Sequence, residues 1–171
     1  MRTAKQTITE TFIYLLTEQA FEDLSVKDIV SYAGISRSTF YLHFTDKYEL
    51  MDAVRSQVNG RFLQIYNEPS DAETINLKIC QHVFRYRSFY RQEFSDAGRI
   101  HELTRRFADE LEPVFSDEDL AVFAGWGTIG YLASWVKSGF AMGPQEASDK
   151  LMKILFTDWT ANLADTRERS N

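Results

Sequence analysis

The sequence predicts an all-α protein of about nine helices, arranged as a short N-terminal three-helix unit followed by a longer helical body. Three observations carry this prediction. Apolar residues recur at helical spacing through the whole chain, whereas no stretch alternates apolar and polar residues between Asn-Gly or Asp-Gly turns. Capping residues and helix breakers fall between the periodic runs. With 171 residues, 44% hydrophobic and 14% aromatic, the chain can bury a real core in one or two units.

The elements follow in order. Ile8, Phe12, Leu15 and Leu16 form the stripe of the first helix, which Leu24 and Ser25 close. Ser25 then caps a second helix, with Asp28 in capping-box spacing and Val26, Ile29 and Val30 facing inward. In "AGIS" a glycine, Gly34, supplies a positive φ at no steric cost, and Ser36 caps a third helix expected to run from Arg37 to Phe44. A fourth begins at Thr45 or Asp46 and keeps its period through Tyr66, for about five turns. Pro69 breaks the chain, Ser70 and Glu73 stand in capping-box spacing, and Ile75, Ile79, Val83 and Phe84 mark a fifth helix.

The aromatic segment "FRYRSFYRQEF" ends at "SDAG". Ile100, Leu103, Phe107 and Leu111 then define a helix ending at Pro113, and Ser116 is expected to open the next one, where Asp117, Glu118 and Asp119 suit the positive helix start. That next helix contains the most apolar window, Leu120 to Val136. At 17 residues, with three glycines, Thr128 and Ser134 among them and no flanking basic cluster, it reads as a helix packed on several sides and not as a membrane span. Gly139 and Gly143-Pro144 precede a final amphipathic helix marked by Met152, Leu155, Phe156, Trp159 and Leu163, and the tail from Ala164 is expected to fray.

Composition excludes several functions. A net charge of −6 argues against a general nucleic-acid coat protein. A small basic face on an acidic body remains compatible with it, because exposed charges are screened beyond ~8 Å at physiological ionic strength. The single cysteine, Cys80, cannot form an internal disulfide and reads as a small core residue, and no basic-then-apolar leader pattern is present, so a cytoplasmic location is expected. No Gly-rich phosphate loop or catalytic triad order appears, and His43, His82 and His101 lack metal-ligand spacing. The chain is therefore expected to be no enzyme and to need no cofactor or metal.

Two short helices joined by a glycine turn and preceded by a longer packing helix make a helix-turn-helix pattern. In such a unit the second helix of the pair must pack one edge into the domain and offer the opposite edge to a DNA major groove. Phe40 and Phe44, four apart, share an inner edge with Ile35, while Arg37, Ser38 and Tyr41 point elsewhere.

The segment from Phe21 to Leu50, "FEDLSVKDIVSYAGISRSTFYLHFTDKYEL", closely resembles the DNA-binding domain of the TetR/AcrR family of transcriptional regulators. The family pattern "DIA..AG(V/I)S..T(F/L)Y.HF..K..L" is met by Asp28, Ile29, Ala33, Gly34, Ile35, Ser36, Thr39, Phe40, Tyr41, His43, Phe44, Lys47 and Leu50. Ala20, Val30 and Ser38 depart from it mildly. The resemblance covers the first third of the chain and implies a DNA-binding domain at residues 1–47 and a regulatory and dimerisation domain at 48–171.

It also implies roles. Thr39, Tyr41, His43 and Lys47 would grip phosphates, Arg37 would read a guanine through its fork of donors, and Ser36 and Ser38 would assist. Ser25 and Lys27 would hold the flanking backbone, with Arg2 and Lys5 as a short arm. Phe62, Tyr66, Phe84, Tyr86, Tyr90, Phe94 and Phe107 would line a ligand pocket, with the charges of Arg85, Arg87, Arg91, Glu93, Asp96 and Glu102 tuning it. Trp126, Gly130, Tyr131, Trp135, Met152, Leu155, Phe156, Trp159 and Leu163 would form a dimer interface. The expected partners are double-stranded DNA with a palindromic operator, a second copy of the chain, and a small-molecule effector that releases a repressor. The alternative is a co-regulator acting through a protein partner.

Overall fold

Side-chain caps set most of the helix starts. Thr3 forms a full capping box with Gln6 and opens α1 (Ala4–Glu18). Ser25 and Asp28 do the same for α2 (Val26–Ala33), which ends on Gly34 at φ 66°, where an L side chain would be strained. Ser36 caps α3 (Arg37–Tyr41), and the Asp46 carboxylate accepts from two backbone N–H groups to start α4 (Lys47–Tyr66). The body continues with α5 (Ala72–Arg85), α6 (Arg87–Glu93), α7 (Ala97–Phe115), α8 (Glu118–Lys137) and α9 (Pro144–Leu155). This computed structural model describes residues 2–157, so nine helices and no strands stand among the described residues.

Several boundaries differ from the sequence expectation, each for a local reason. Helix α1 stops at Glu18 because Gln19 turns extended, and Leu24 is buried from the loop that follows. Helix α3 ends at Tyr41 and not at Phe44: the Thr45 N–H and hydroxyl both donate to the Glu49 carboxylate, at 2.6 and 2.8 Å, and this turns the chain into α4. Asp71, not Ser70, caps α5, since its carboxylate accepts from both the N–H and the hydroxyl of Thr74. Pro113 does not end α7, which runs on to Phe115 and closes on Ser116 in the left-handed region at φ 52°. Ser116 therefore terminates a helix, and Asp117 opens α8.

The N-terminal core gathers Ile8, Phe12, Leu24, Ile29, Phe40, Phe44 and Leu50 from α1 to α4, the loop between α1 and α2 and the turn between α3 and α4. In the body, α7 packs along α8 and α5 along α9. Gly125 makes the first pairing close: a Cβ placed there would lie 3.4 Å from the Ala108 Cβ. Among the described residues no helix is long and apolar enough to cross a membrane. Cys80 is buried, and burial pushes its thiol up to about 12, as suits an unreactive core residue.

The seven aromatic residues expected around a ligand do not share one space. Phe62, Tyr66, Tyr90, Phe94 and Phe107 pack ring on ring, with Phe62 to Phe107 at 5.5 Å and Tyr66 to Phe107 at 4.3 Å. His82, which the sequence reading did not select, joins Tyr86 to this cluster at 4.9 Å between ring centroids. Phe84 belongs elsewhere, against Trp135 and Phe140. The rings fill the centre of the body with their own mass.

The His82 Nε2 lies 3.1 Å from both the Val58 carbonyl and the Tyr90 hydroxyl, which requires Nε2 to carry the hydrogen because a carbonyl only accepts. Burial then drives the ring's pKa down to about 4 from 6.5. The unfolded chain takes up this proton near pH 6.5 and the folded chain does not, so stability holds above pH 6.5 and falls by about 3 kcal/mol on acidification toward pH 4. Urea midpoints of the parent chain and a His82→Gln variant, compared at pH 7 and pH 4, should diverge at the higher pH and converge at the lower; a constant gap would count against it.

Candidate nucleic-acid interface

The short α3 presents two edges. Phe40 and Phe44 are buried in the three-helix core, 5.8 Å apart between ring centroids. On the other side Arg37, Ser38, Tyr41, Leu42 and His43 are exposed and Thr39 is half-buried. Leu42 is 80% exposed, which is unusual for a leucine and, on this edge, suits the methyl group of a thymine. The sequence reading placed it only as a flanking residue. Its signal was an aliphatic side chain at a position where the helix pattern left no inner neighbour.

The hydroxyls are less uniform than their spacing suggested. Ser36 Oγ accepts from the Thr39 N–H at 3.0 Å and also lies 2.8 Å from the hydroxyls of both Ser38 and Thr39. These three side chains share hydrogens among themselves, so Ser36 acts first as a cap. Ser25 is likewise engaged with Asp28, whose carboxyl is held below its usual range by hydrogen bonds from the Ser25 hydroxyl and backbone. Arg37 and Lys27 are exposed and make no ion pair among the described residues. Lys5 sits 5.7 Å over the Phe44 ring and so stands just past the end of α3, whereas Arg2 is paired with Glu10 at 3.0 Å.

Lys47 requires a correction. Its ammonium donates to the carbonyls of Phe21, Glu22 and Leu24 at 2.9, 2.9 and 2.7 Å, and lies 4.8 Å over the Phe21 ring. An ammonium has three donors, and here each has a carbonyl, so Lys47 ties the start of α4 to the loop before α2. A phosphate grip is not what this geometry provides. Lys47→Met is expected to cost about 1.5–3 kcal/mol of stability and weaken DNA binding through misplacement of α3, with the salt dependence of binding unchanged. A slope flattened by roughly one unit would return the ammonium to the DNA.

The expected dimer surface also divides. On α8, Trp126 is 45% exposed, and Gly127 and Gly130 face open space. Phe123, 74% exposed, and Leu120 join the same face and were missed, because a helix apolar all round hides which side is free. Trp135 is on the other side: it is buried, and its indole N–H donates to the Met142 carbonyl at 3.0 Å. Tyr131 donates to the Ala147 carbonyl at 2.8 Å and braces α8 against α9. These two serve the fold of one chain, not a face open to a second. Leu155 and Phe156 are exposed, Met152 is half-buried against Asn76, and Trp159 and Leu163 lie outside the described residues.

This arrangement has known counterparts. Residues 8–54 match the family described as bacterial regulatory proteins, tetR family, through its N-terminal domain. No curated protein matches the chain in sequence. Among solved structures, a TetR/AcrR-type transcriptional regulator from Aquifex aeolicus VF5 superposes with a TM-score of 0.73 at 20% identity, over 90% of this chain and 100% of that one. SmeT, the repressor of a Stenotrophomonas maltophilia multidrug efflux pump, gives 0.71 at 15% identity over 90% and 88% of the two chains. The fatty acid degradation regulator FadR from Bacillus halodurans gives 0.69 at 18% identity over 93% and 97%. Residues 8–54 thus match the N-terminal domain of the tetR family of bacterial regulatory proteins, and the helical chain as a whole has the fold of solved TetR/AcrR regulators.

Proposed function

We propose that the chain is a sequence-specific transcriptional regulator of the cytoplasm, a repressor that binds a palindromic operator as a homodimer and leaves it when a small molecule binds. One observation carries this reading: α3 and the turn that follows it bury Phe40 and Phe44 and leave Arg37, Tyr41, Leu42 and His43 exposed. That division suits a helix seated in a major groove, where phosphate contacts set register and base contacts set sequence. Arg37 is the base reader, Tyr41, His43, Lys27 and Lys5 position, and residues 1–47 act as the reading unit with 48–171 as the regulatory one. The acidic body is no obstacle, because the acidic side chains nearest α3 are spent locally: Asp46 caps α4, and Glu49 holds Thr45.

The ring-filled centre of the body gives weight to the second reading, a co-regulator that responds to a protein partner. In-vitro selection of bound DNA separates the proposal from its failure. Two half-sites about one helical turn apart are expected, and Arg37→Ala should relax preference at one base pair per half-site, a loss of about 1–3 kcal/mol of discrimination. An unchanged consensus would remove Arg37 as the reader, and no enriched sequence at all would remove the proposal. Operator binding that changes only when a protein partner is added would establish the co-regulator.

A further inference from the structure

A cleft of about 370 Å³ opens between the two units of the chain, with residues 16–21, at the end of α1 and the loop after it, on one wall and α6 on the other. The α6 wall is polar at regular spacing: Ser88, Arg91, Gln92 and Ser95 fall at i, i+3, i+4 and i+7 and so share one face continued past the helix end. The direct hydrogen bond recorded from this face to the DNA-binding unit is a long one, Gln92 Nε2 to Glu22 Oε1 at 3.4 Å. The Ser95 hydroxyl donates to the Gln92 carbonyl at 2.7 Å, so among the described residues Ser88, Arg91 and the weakly held Gln92 amide are the groups of this face left to meet something else.

Charge points to what that is. Arg91 lines the cleft with its guanidinium 5.6 Å over the Phe140 ring, and Arg87, one turn earlier, stands 5.6 Å over the Phe84 ring. Those two rings are themselves 5.5 Å apart. Neither arginine has an ion-pair partner among the described residues. Like charges at i and i+4 repel in a helix, and a protein of net charge −6 has carboxylates to spare for pairing them. A guanidinium stacked on an aromatic face is held in place with its donor edge outward, which is how arginine meets a carboxylate or phosphate.

We propose that this cleft, and not the ring-filled centre of the body, is the effector site, and that it takes a small anionic metabolite whose carboxylate or phosphate lies on Arg91. The Ser88 hydroxyl supplies a further hydrogen bond, and the Gln92 amide, held only at 3.4 Å by Glu22, a second. Glu18, on the opposite wall, accepts from a hydroxyl or ammonium of the same molecule, which selects ligands carrying a donor as well as an anion. Because the walls belong to different units, a bound molecule bridges them and fixes their relative placement, and the site is coupled to the operator by its differing affinity for the two placements. This inference rests on the DNA-binding reading above.

The test uses the full chain with inorganic phosphate as probe, titrated against chloride at constant ionic strength, with both melting temperature and operator affinity measured. Phosphate is expected to raise the melting temperature by about 2 °C by mass action. It should also weaken operator binding by about fivefold. Arg91→Gln removes the anion's partner and should abolish the two responses while operator binding without phosphate stays at the parent value. An equal phosphate response in the parent chain and in Arg91→Gln would place the anion elsewhere and overturn the proposal, as would no response in the parent chain. Failure to bind any operator would instead strike the DNA-binding reading, with the melting temperature still reporting on the cleft.

Discussion

Arg55→Ala should destabilise the fold by about 3–5 kcal/mol, a large part of the 5–15 kcal/mol typical of a domain. Its partner is the reason. Glu93 on α6 is only 1% exposed, and the Arg55 Nε donates to both of its oxygens, at 3.0 and 3.1 Å. Asn59 adds a donor at 3.2 Å, and an Arg99 nitrogen lies 3.9 Å away. Removing Arg55 leaves a buried carboxylate with one amide and one distant guanidinium, and the cost is that of an uncompensated charge rather than of a lost contact. A double replacement, Arg55→Leu with Glu93→Leu, removes both charges and should cost much less than the single change. Denaturant melts of the two variants decide the matter; a double variant as unstable as Arg55→Ala would show that the pair contributes packing, not charge balance. The pair joins α4, which follows α3 directly, to α6, so the operator binding proposed above should fall together with stability.

In the proposed homodimer, Phe123→Asp is expected to yield a monomer and weaken operator binding on the order of a hundredfold or more, the loss that follows when two half-sites are no longer held by one linked pair. Phe123 is 74% exposed and shares a face of α8 with Leu120, Trp126, Gly127 and Gly130. A side chain of that size left in water at the centre of an apolar face, with no cover among the described residues, suits burial against a second copy. The two glycines beside it, with open space where a Cβ would be, let a second backbone come close. Sedimentation of the variant at micromolar concentration measures the first effect and titration on the selected operator the second. A variant that stays dimeric would move the interface toward Leu155 and Phe156 on α9.

Much of the N-terminal unit was legible because its determinants are local. Ser25 with Asp28, the left-handed turn at Gly34, the Ser36 cap and the inner pair Phe40 and Phe44 each involve residues no more than four positions apart, the range over which a helix brings neighbours together. The same locality explains the misplaced boundaries. At the starts of α5 and α8 two acceptors competed within one or two residues, and the carboxylates of Asp71 and Asp117 took the caps from Ser70 and Ser116.

Partners far apart in the chain were invisible at this level. Lys47 has the spacing of a phosphate contact, but its ammonium meets carbonyls 23 to 26 residues earlier. Glu93 was expected among several charges tuning a ligand pocket, whereas it is buried against Arg55, 38 positions away. Trp126 and Trp135 read alike in an all-round apolar helix, although one is open and the other is buried over Phe84 and Phe140. Periodicity tells which side of a helix turns inward, and capping chemistry tells where it starts. The sequence by itself therefore determined an all-helical chain with a helix-turn-helix pattern whose inner edge is set by Phe40 and Phe44. Only the tertiary structure decided which inward side chains fill the core, which charges are paired and where a cleft remains, because these depend on distances between helices that no local pattern encodes.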